Sequence, residues 1–171
     1  MSWPPSEIGR LVVGYSGWAG PALGAAALAE SLVVVGAVVP ATPLIVAAGG
    51  AIAAGRLAAH VLAWAAAGTF LGGWFSYEAG AAARRAGWAL PGRLGEQVAE
   101  LSRTLFTRFG PAAVLIGRFF GPVAAITPFA AGWSGMPRAR FLAAGMATAV
   151  LWPAAMAAVG YFGVLAWLRL F

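Results

Sequence analysis

The chain has 171 residues, of which 61% are hydrophobic and only 9% are charged. An ordinary soluble domain carries roughly 25% charged residues, so this composition excludes that class of protein. The net charge is +6 and all cations are arginines, but they lie mostly between apolar segments, which favours a role in membrane topology over nucleic-acid binding.

The first third of the chain predicts a lead-in followed by an interrupted apolar segment. Residues 1–18 contain tryptophan and tyrosine side chains suited to the lipid headgroup level, which indicates an interfacial lead-in. Residues 28–55 carry one charge, Glu30, and are interrupted by Pro40 and Pro43. Because each proline removes a backbone donor and disfavours a continued helix, we predict a re-entrant hairpin broken at these prolines. One kinked helix that crosses the membrane is the alternative.

The middle of the chain predicts one spanning helix and one surface helix. Residues 58–79 form an apolar span that ends near Glu78. Residues 88–108 are rich in arginine and glutamate, and their apolar side chains recur at helical spacing: Leu94, Val98, Leu101 and Leu105. This pattern predicts an amphipathic helix that lies at the membrane surface.

The last third repeats the interrupted theme. Residues 109–136 are apolar apart from Arg118, and helix breakers occur at Gly121-Pro122 and again at Thr127-Pro128. We predict a second re-entrant hairpin here, and a final spanning helix over residues 138–168. Paired interrupted segments in two halves of a chain are typical of inverted-repeat transporters.

Charge then predicts a topology. If each hairpin enters and leaves on one side, most arginines fall on the side of the second hairpin, which the positive-inside rule makes cytoplasmic. The predicted fold is therefore a single all-α integral membrane domain over residues 1–171. It is an inverted repeat with two opposed re-entrant hairpins, spanning helices and a surface amphipathic helix.

Glu30 and Arg118 are the candidate functional residues, because an ionisable group inside a membrane segment is costly. Opposed hairpins would bring them together, with Arg118 binding a phosphate oxygen and Glu30 gating the site or exchanging a proton. A structural ion pair that locks the hairpins is the alternative. Thr42 and Thr127 add hydroxyl groups at the breaks, although each hydroxyl could equally serve only its own backbone.

Signatures of an enzyme are missing from the sequence. It contains one histidine, no cysteine and no cluster of acids with metal-ligand spacing. We therefore expect neither catalysis nor a metal or cofactor.

Residues 117–164 resemble the DedA family, also called the SNARE-associated or VTT-domain family. The matching motifs are Gly117-Arg118-Phe119, Ala131-Gly132, Met136-Pro137, Arg140-Phe141, Trp152 and Gly160-Tyr161. The first half is similar at Glu30, at residues 40–43 with the Ala-Ala-Gly that follows, and at Gly73, Tyr77 and Gly80. The resemblance covers residues 28–164 and implies two opposed re-entrant hairpins.

The same resemblance implies a function. Members of the family are associated with flipping undecaprenyl phosphate or phospholipid in bacteria and with scrambling phospholipid in eukaryotes, often with proposed proton coupling. It implies a bacterial inner-membrane, multi-pass lipid translocase whose partners are phosphate-bearing or anionic lipids, with a homo-oligomer left open. A non-transporting assembly protein and a proton-coupled small-solute transporter are the alternatives.

This chain departs from the family pattern at three charged positions. The family's acidic residues at the first hairpin tip and before the tyrosine fall at Thr42 and Gly73, and its second arginine falls at Ala124. Only Glu30 and Arg118 carry over, which weakens the case for proton coupling.

Overall fold

The computed structural model describes residues 5–33, 35–36, 39–120 and 123–170, and for residues 5–16 it describes the backbone alone. Every regular element in these ranges is a helix, which confirms the all-α prediction. The helices are α1 (Pro5–Ser31), α2 (Ala41–Ala53), α3 (Val61–Arg85), α4 (Gly92–Leu101) with a π-helical continuation (Ser102–Phe106), α5 (Thr107–Phe109), α6 (Ala112–Gly117), α7 (Val123–Trp133) and α8 (Arg138–Leu170).

The first hairpin consists of α1 and α2. At its tip Thr42, in the first turn of α2, contacts Glu30 near the end of α1. Farther along, Ala48 packs in one apolar cluster with Leu23. The loop after α2 returns beside Gly17 of α1. The two helices therefore run in opposite directions, and both open ends lie at the same end of the molecule.

The second hairpin consists of α6 and α7. Gly117 at the end of α6 lies against Thr127, and Val114 packs in one cluster with Ala131. The earlier residue of α6 therefore pairs with the later residue of α7, so the two helices are antiparallel. The tip after α6 points into the molecule, toward the first hairpin.

Helix α3 lies between the hairpins and orients them. A β-carbon added at Gly72 would overlap the carbonyl of Leu28, and one at Gly132 would overlap the carbonyl of Tyr77. Helix α8 runs back along α3, since Phe141 stacks on Tyr77 near the end of α3 while Trp152 clusters with Ala65 near its start. The two hairpins consequently enter from opposite ends of the bundle.

One hydroxyl group of α3, that of Ser76, forms hydrogen bonds with the backbone at the tip of the first hairpin. Ser76 Oγ donates to the carbonyl of Ser31 at 2.9 Å and accepts the N–H of Val33 at 3.1 Å. A broken helix inside a packed core exposes such backbone groups, and each needs a partner. A β-carbon at Gly36 would lie 2.8 Å from Ala125 Cβ, so the loop also reaches α7.

The helix breaks differ in position from those predicted. The first break begins after Ser31 and ends at Pro40, the N-cap of α2, whereas Pro43 lies in the first turn of α2 and does not break it. Proline is tolerated there because the N–H groups of a first turn have no helical acceptor. Pro128 lies inside α7, buried, and does not end that helix. Gly121 and Pro122 lie outside the described residues.

Two other boundaries also differ. Residues 5–18 of the predicted lead-in and the hairpin start at residue 28 both fall within α1, which continues to Ser31, while residues 1–4 lie outside the described part of the chain. The span predicted over residues 58–79 continues as α3 to Arg85. Both helices continue past the changes in composition at which we predicted their ends. The high helix propensity of alanine and packing against neighbouring helices explain these longer helices.

The helix predicted over residues 88–108 begins at Gly92 and carries its apolar side chains on one face. Val98 and Leu101 are buried in a cluster with Ile126, Phe129 and Ala130. The charged side chains of this helix are exposed. Its apolar face therefore packs on α7 rather than facing only lipid.

Helix lengths limit which elements can cross a bilayer. Among the described helices, α8 alone is both long and apolar enough, over 33 residues. Helices α2 and α7 are apolar but have only 13 and 11 residues. At 1.5 Å per residue they span about 20 Å and about 17 Å, less than the roughly 30 Å of a hydrocarbon core.

Candidate functional site

Arg118 lies in the interior at the tip of the second hairpin. It directly follows α6, and only 5% of its surface is exposed. Its guanidinium carbon lies 4.2 Å from the ring centre of Trp152 on α8. Nitrogens Nε and Nη2 are buried and have no hydrogen-bond partner within the described part of the chain. A buried guanidinium with unused donors is a site that can accept an anion.

Glu30 lies at the tip of the first hairpin and is held by Thr42. The Thr42 hydroxyl donates to Glu30 Oε1 at 2.9 Å. The other oxygen, Oε2, is buried without a partner among the described residues. Three of the four predicted site residues, Glu30, Thr42 and Arg118, therefore lie at the tips where the hairpins face each other.

The two charges are near each other but do not form an ion pair. Glu30 is close enough to act electrostatically on Arg118. Among the described side chains, however, no nitrogen of Arg118 comes within the 4.0 Å salt-bridge limit of a Glu30 oxygen. This arrangement leaves Nε and Nη2 of the guanidinium without a partner among the described residues, which a locked pair would not.

A small cavity of about 20 Å³ adjoins Arg118. That volume is enough for roughly one water molecule. Its polar wall includes Thr69, whose buried hydroxyl has no partner in the described residues, and Thr148, whose hydroxyl donates to the carbonyl of Ala144. Gly73 and Ala124, which stand where the resembling family carries charges, line the same cavity.

Thr127, the fourth predicted site residue, is fully buried and serves its own helix. Its hydroxyl donates to the carbonyl of Val123 at 2.7 Å, and its side chain packs on Gly117. It therefore shapes the tip that carries Arg118, and within the described residues its hydroxyl makes no hydrogen bond to Glu30 or Arg118.

Trp152 and Thr69 are site residues that sequence reasoning missed. The sequence identifies Trp152 only as one of the family motifs, with no site role, yet it is only 3% exposed and lies over the Arg118 guanidinium. The proline directly after it, inside an otherwise apolar span, is a second signal. Thr69 carries no local signal, since a threonine in an apolar helix usually bonds to its own backbone.

Comparison with known proteins identifies one informative relative. The chain is 31% identical over 133 residues to the inner membrane protein YabI of Escherichia coli strain K12. The match covers 74% of this chain and 51% of YabI, so the chain spans about half the length of the curated relative it matches. No family model matches the chain, and no solved structure does.

YabI is a member of the DedA family and is named an inner membrane protein. Its similarity agrees with the motifs quoted for residues 117–164 and with the long apolar helix α8. The chain is therefore similar to a membrane protein of the DedA family, and this similarity supports its assignment as a divergent member of that family.

Proposed function

We propose that this protein moves a phosphate-bearing lipid across the inner membrane. Both hairpins are re-entrant, α8 spans the bilayer, and α3, which has 25 residues but is less apolar, crosses beside it. The lipid phosphate enters between the hairpin tips, where Arg118 neutralises it while the hydrocarbon chain stays in the bilayer. An uncompensated phosphate in a low-dielectric interior is prohibitively costly, so a cation in the path lowers the barrier.

The observation that carries this proposal is the state of the Arg118 side chain. It is buried, it lies within electrostatic range of Glu30 on the opposite hairpin, and two of its nitrogens lack partners in the described residues. A purely structural arginine would be expected to use its donors, because an unsatisfied buried donor costs about 1–3 kcal/mol. A role of Arg118 in binding an anion explains why these donors are left unsatisfied in spite of this cost.

A large apolar groove next to the same tip favours a lipid over a small solute. The groove encloses about 840 Å³ between the α4 region and α7, and its apolar wall includes Leu101, Leu105, Phe120, Val123 and Ile126. Phe120 is two residues from Arg118. A hydrocarbon chain could occupy this groove while the phosphate reaches the tip.

Transport by this route requires the site to open. The cavity of about 20 Å³ at Arg118 is too small for a phosphate group. The aromatic ring that covers the guanidinium belongs to α8, so we infer that α8 shifts at Trp152 to admit the phosphate. With neutral residues at Thr42, Gly73 and Ala124, we propose passive exchange rather than proton-driven transport.

Lipid flipping in liposomes tests the proposal. Purified protein is reconstituted with fluorescent phosphatidylglycerol, and the outward movement of the label is followed by quenching from outside. We expect Arg118→Ala to reduce the flipping rate at least about tenfold, corresponding to the ~1.4 kcal/mol or more that one charge-assisted contact contributes. Arg118→Lys should retain part of the rate, because it keeps the charge but not the planar fork.

Arg93→Ala is the matched control, since Arg93 is exposed on the charged face of α4. It should leave the rate unchanged, and an imposed pH gradient should not alter the rate of the native protein. Equal flipping by Arg118→Ala and native protein, with both folded, would remove Arg118 from the mechanism. No flipping by the native protein, together with a protein that co-purifies, would favour the assembly role instead.

A further inference from the structure

A basic cleft lies where the end of α3 meets the turn between α7 and α8. It encloses about 350 Å³, and its walls include Tyr77, Arg84, Arg85, Gly135, Met136 and Arg138. The transport step proposed above makes no use of it. Its position is at the arginine-rich end of the bundle, away from the hairpin tips.

Two contacts build the floor of the cleft. The Tyr77 hydroxyl donates to the carbonyl of Met136 at 2.5 Å, which holds the α7–α8 turn against α3. Gly135 has a φ of 77°, and a β-carbon there would overlap Nη1 of Arg84. The guanidinium of Arg84 therefore lies directly against the backbone of the turn, which only glycine permits.

The cleft carries an excess of positive charge. Arg138 Nη2 donates to Glu78 Oε2 at 2.9 Å, so one arginine is paired. Arg84 and Arg85 are exposed, and neither side chain has a salt bridge or hydrogen bond to another described residue. The positive end of the α8 dipole begins at Arg138 and adds to this field.

An apolar stripe on α8 continues directly from the cleft. Arg138, Leu142, Met146 and Val150 follow at intervals of four residues and so share one face of the helix. Leu142, Met146 and Val150 are 37%, 57% and 60% exposed. A cationic cleft at the head of an exposed apolar stripe matches an amphiphile with an anionic head.

We propose that the cleft binds the phosphate headgroup of an anionic phospholipid, with an acyl chain along the stripe. Planar guanidinium groups bind phosphate oxygens in pairs, and basic pockets between membrane helices suit such headgroups. Free phosphate would use the arginines but gain nothing from the stripe. Tyr77 lines the cleft and Phe141 lines the Arg118 cavity. The rings of these two residues stack 4.2 Å apart and form the wall that separates the two sites.

Lipid-dependent stabilisation tests this site independently of transport. The unfolding temperature of the full chain in neutral detergent is measured with added phosphatidylglycerol, phosphatidylcholine of the same acyl chains, or inorganic phosphate. A ligand that binds the folded state raises this temperature, and we expect phosphatidylglycerol to raise it most. Arg84→Gln with Arg85→Gln should increase the half-maximal lipid concentration at least about tenfold, because two charge-assisted contacts are lost.

Arg93→Gln with Arg108→Gln removes the same charge from exposed positions and should respond like the native protein. Met146→Gln should weaken the response to phosphatidylglycerol and leave any response to inorganic phosphate unchanged. Should the double cleft variant fail to fold without lipid, Arg85→Gln alone provides the measurement. A cleft variant that responds like the native protein, or inorganic phosphate that reproduces the whole shift, would overturn the proposal.

Discussion

Glu30 and Arg118 are held by different kinds of contact. A neutral hydroxyl, that of Thr42, holds the carboxylate, and an aromatic face, that of Trp152, holds the guanidinium. A cation over a tryptophan ring away from water gains about 2 kcal/mol without consuming any N–H donor. The arginine is thereby positioned while its hydrogen-bonding capacity stays available to a ligand.

Thr42→Val should reveal how far the hydroxyl supports the carboxylate. Valine keeps the shape but leaves Glu30 without its donor, so we expect a loss of about 1–3 kcal/mol in the free energy of unfolding. In a Glu30→Gln background the same change should cost clearly less, because no buried charge is left uncompensated. Thermal or denaturant unfolding in detergent of the four proteins gives the coupling energy of the pair.

Thr107→Val serves as the reference substitution, since Thr107 is exposed and bonds to its own helix. It should change stability by no more than about 0.5 kcal/mol. Equal effects of Thr42→Val in both backgrounds would show that the hydroxyl does not act through Glu30.

Glycines set the distances between helices. Gly49 and Gly160 bring α2 and α8 into backbone contact, and Gly80 and Gly132 do the same for α3 and α7. Small residues at such crossings are typical of helices in membranes, where packing replaces the hydrophobic effect between helices. Because α2 and α7 pair with the helices that lead to Glu30 and Arg118, α1 and α6, we expect these contacts to influence how closely Glu30 approaches Arg118.

Two glycines of α8 offer a direct comparison of helix packing. A β-carbon at Gly160 would overlap the carbonyl of Val46, whereas one at Gly163 meets nothing within 4 Å. We expect Gly160→Ala to destabilise the protein by about 1–3 kcal/mol through overpacking. Gly163→Ala should be neutral or stabilising by up to about 1 kcal/mol, since alanine favours the helix. Unfolding temperatures in detergent measure both, and equal effects would contradict the α2–α8 contact.

Charge is distributed unevenly over the whole molecule. The end formed by the last turn of α3 and the start of α8 carries Arg84, Arg85, Arg138 and Arg140, while Arg56 lies in the loop at the opposite end. From the positive-inside rule we expect the arginine-rich end to face the cytoplasm. The lipid cleft proposed above would face the cytoplasmic leaflet.

Single cysteines test this orientation, because the native chain has none. Ala59→Cys and Ala89→Cys replace exposed alanines in the loops at opposite ends. A membrane-impermeant maleimide should label Ala59→Cys in intact spheroplasts and Ala89→Cys only in inside-out vesicles. Val35→Cys, near the tip of the first hairpin, should resist labelling in both. Labelling of Val35→Cys from the cytoplasmic side would mean that α1 crosses the membrane completely.

Local composition alone determined the helical elements and the candidate charged residues of this protein. Apolar runs predict helices, and isolated charges within such runs single out Glu30 and Arg118. The helical spacing of apolar side chains over residues 88–108 predicts an amphipathic helix. Each of these signals lies within a few helical turns, so local sequence is enough to show it. Prolines, by contrast, are an ambiguous signal, since Pro43 and Pro128 lie within helices and a proline in a first turn costs little. Where a helix ends depends on partners distant in sequence, such as Ser76 for the end of α1.

The tertiary structure alone decided how the site is assembled. Trp152, Thr69 and the arginine cleft join residues separated by tens of positions, and no local pattern records which helix faces which. Backbone contacts at glycines fix those pairings, because a single β-carbon would separate the helices. The sequence therefore determines which charges occur within apolar segments, and helix packing determines what those charges can bind.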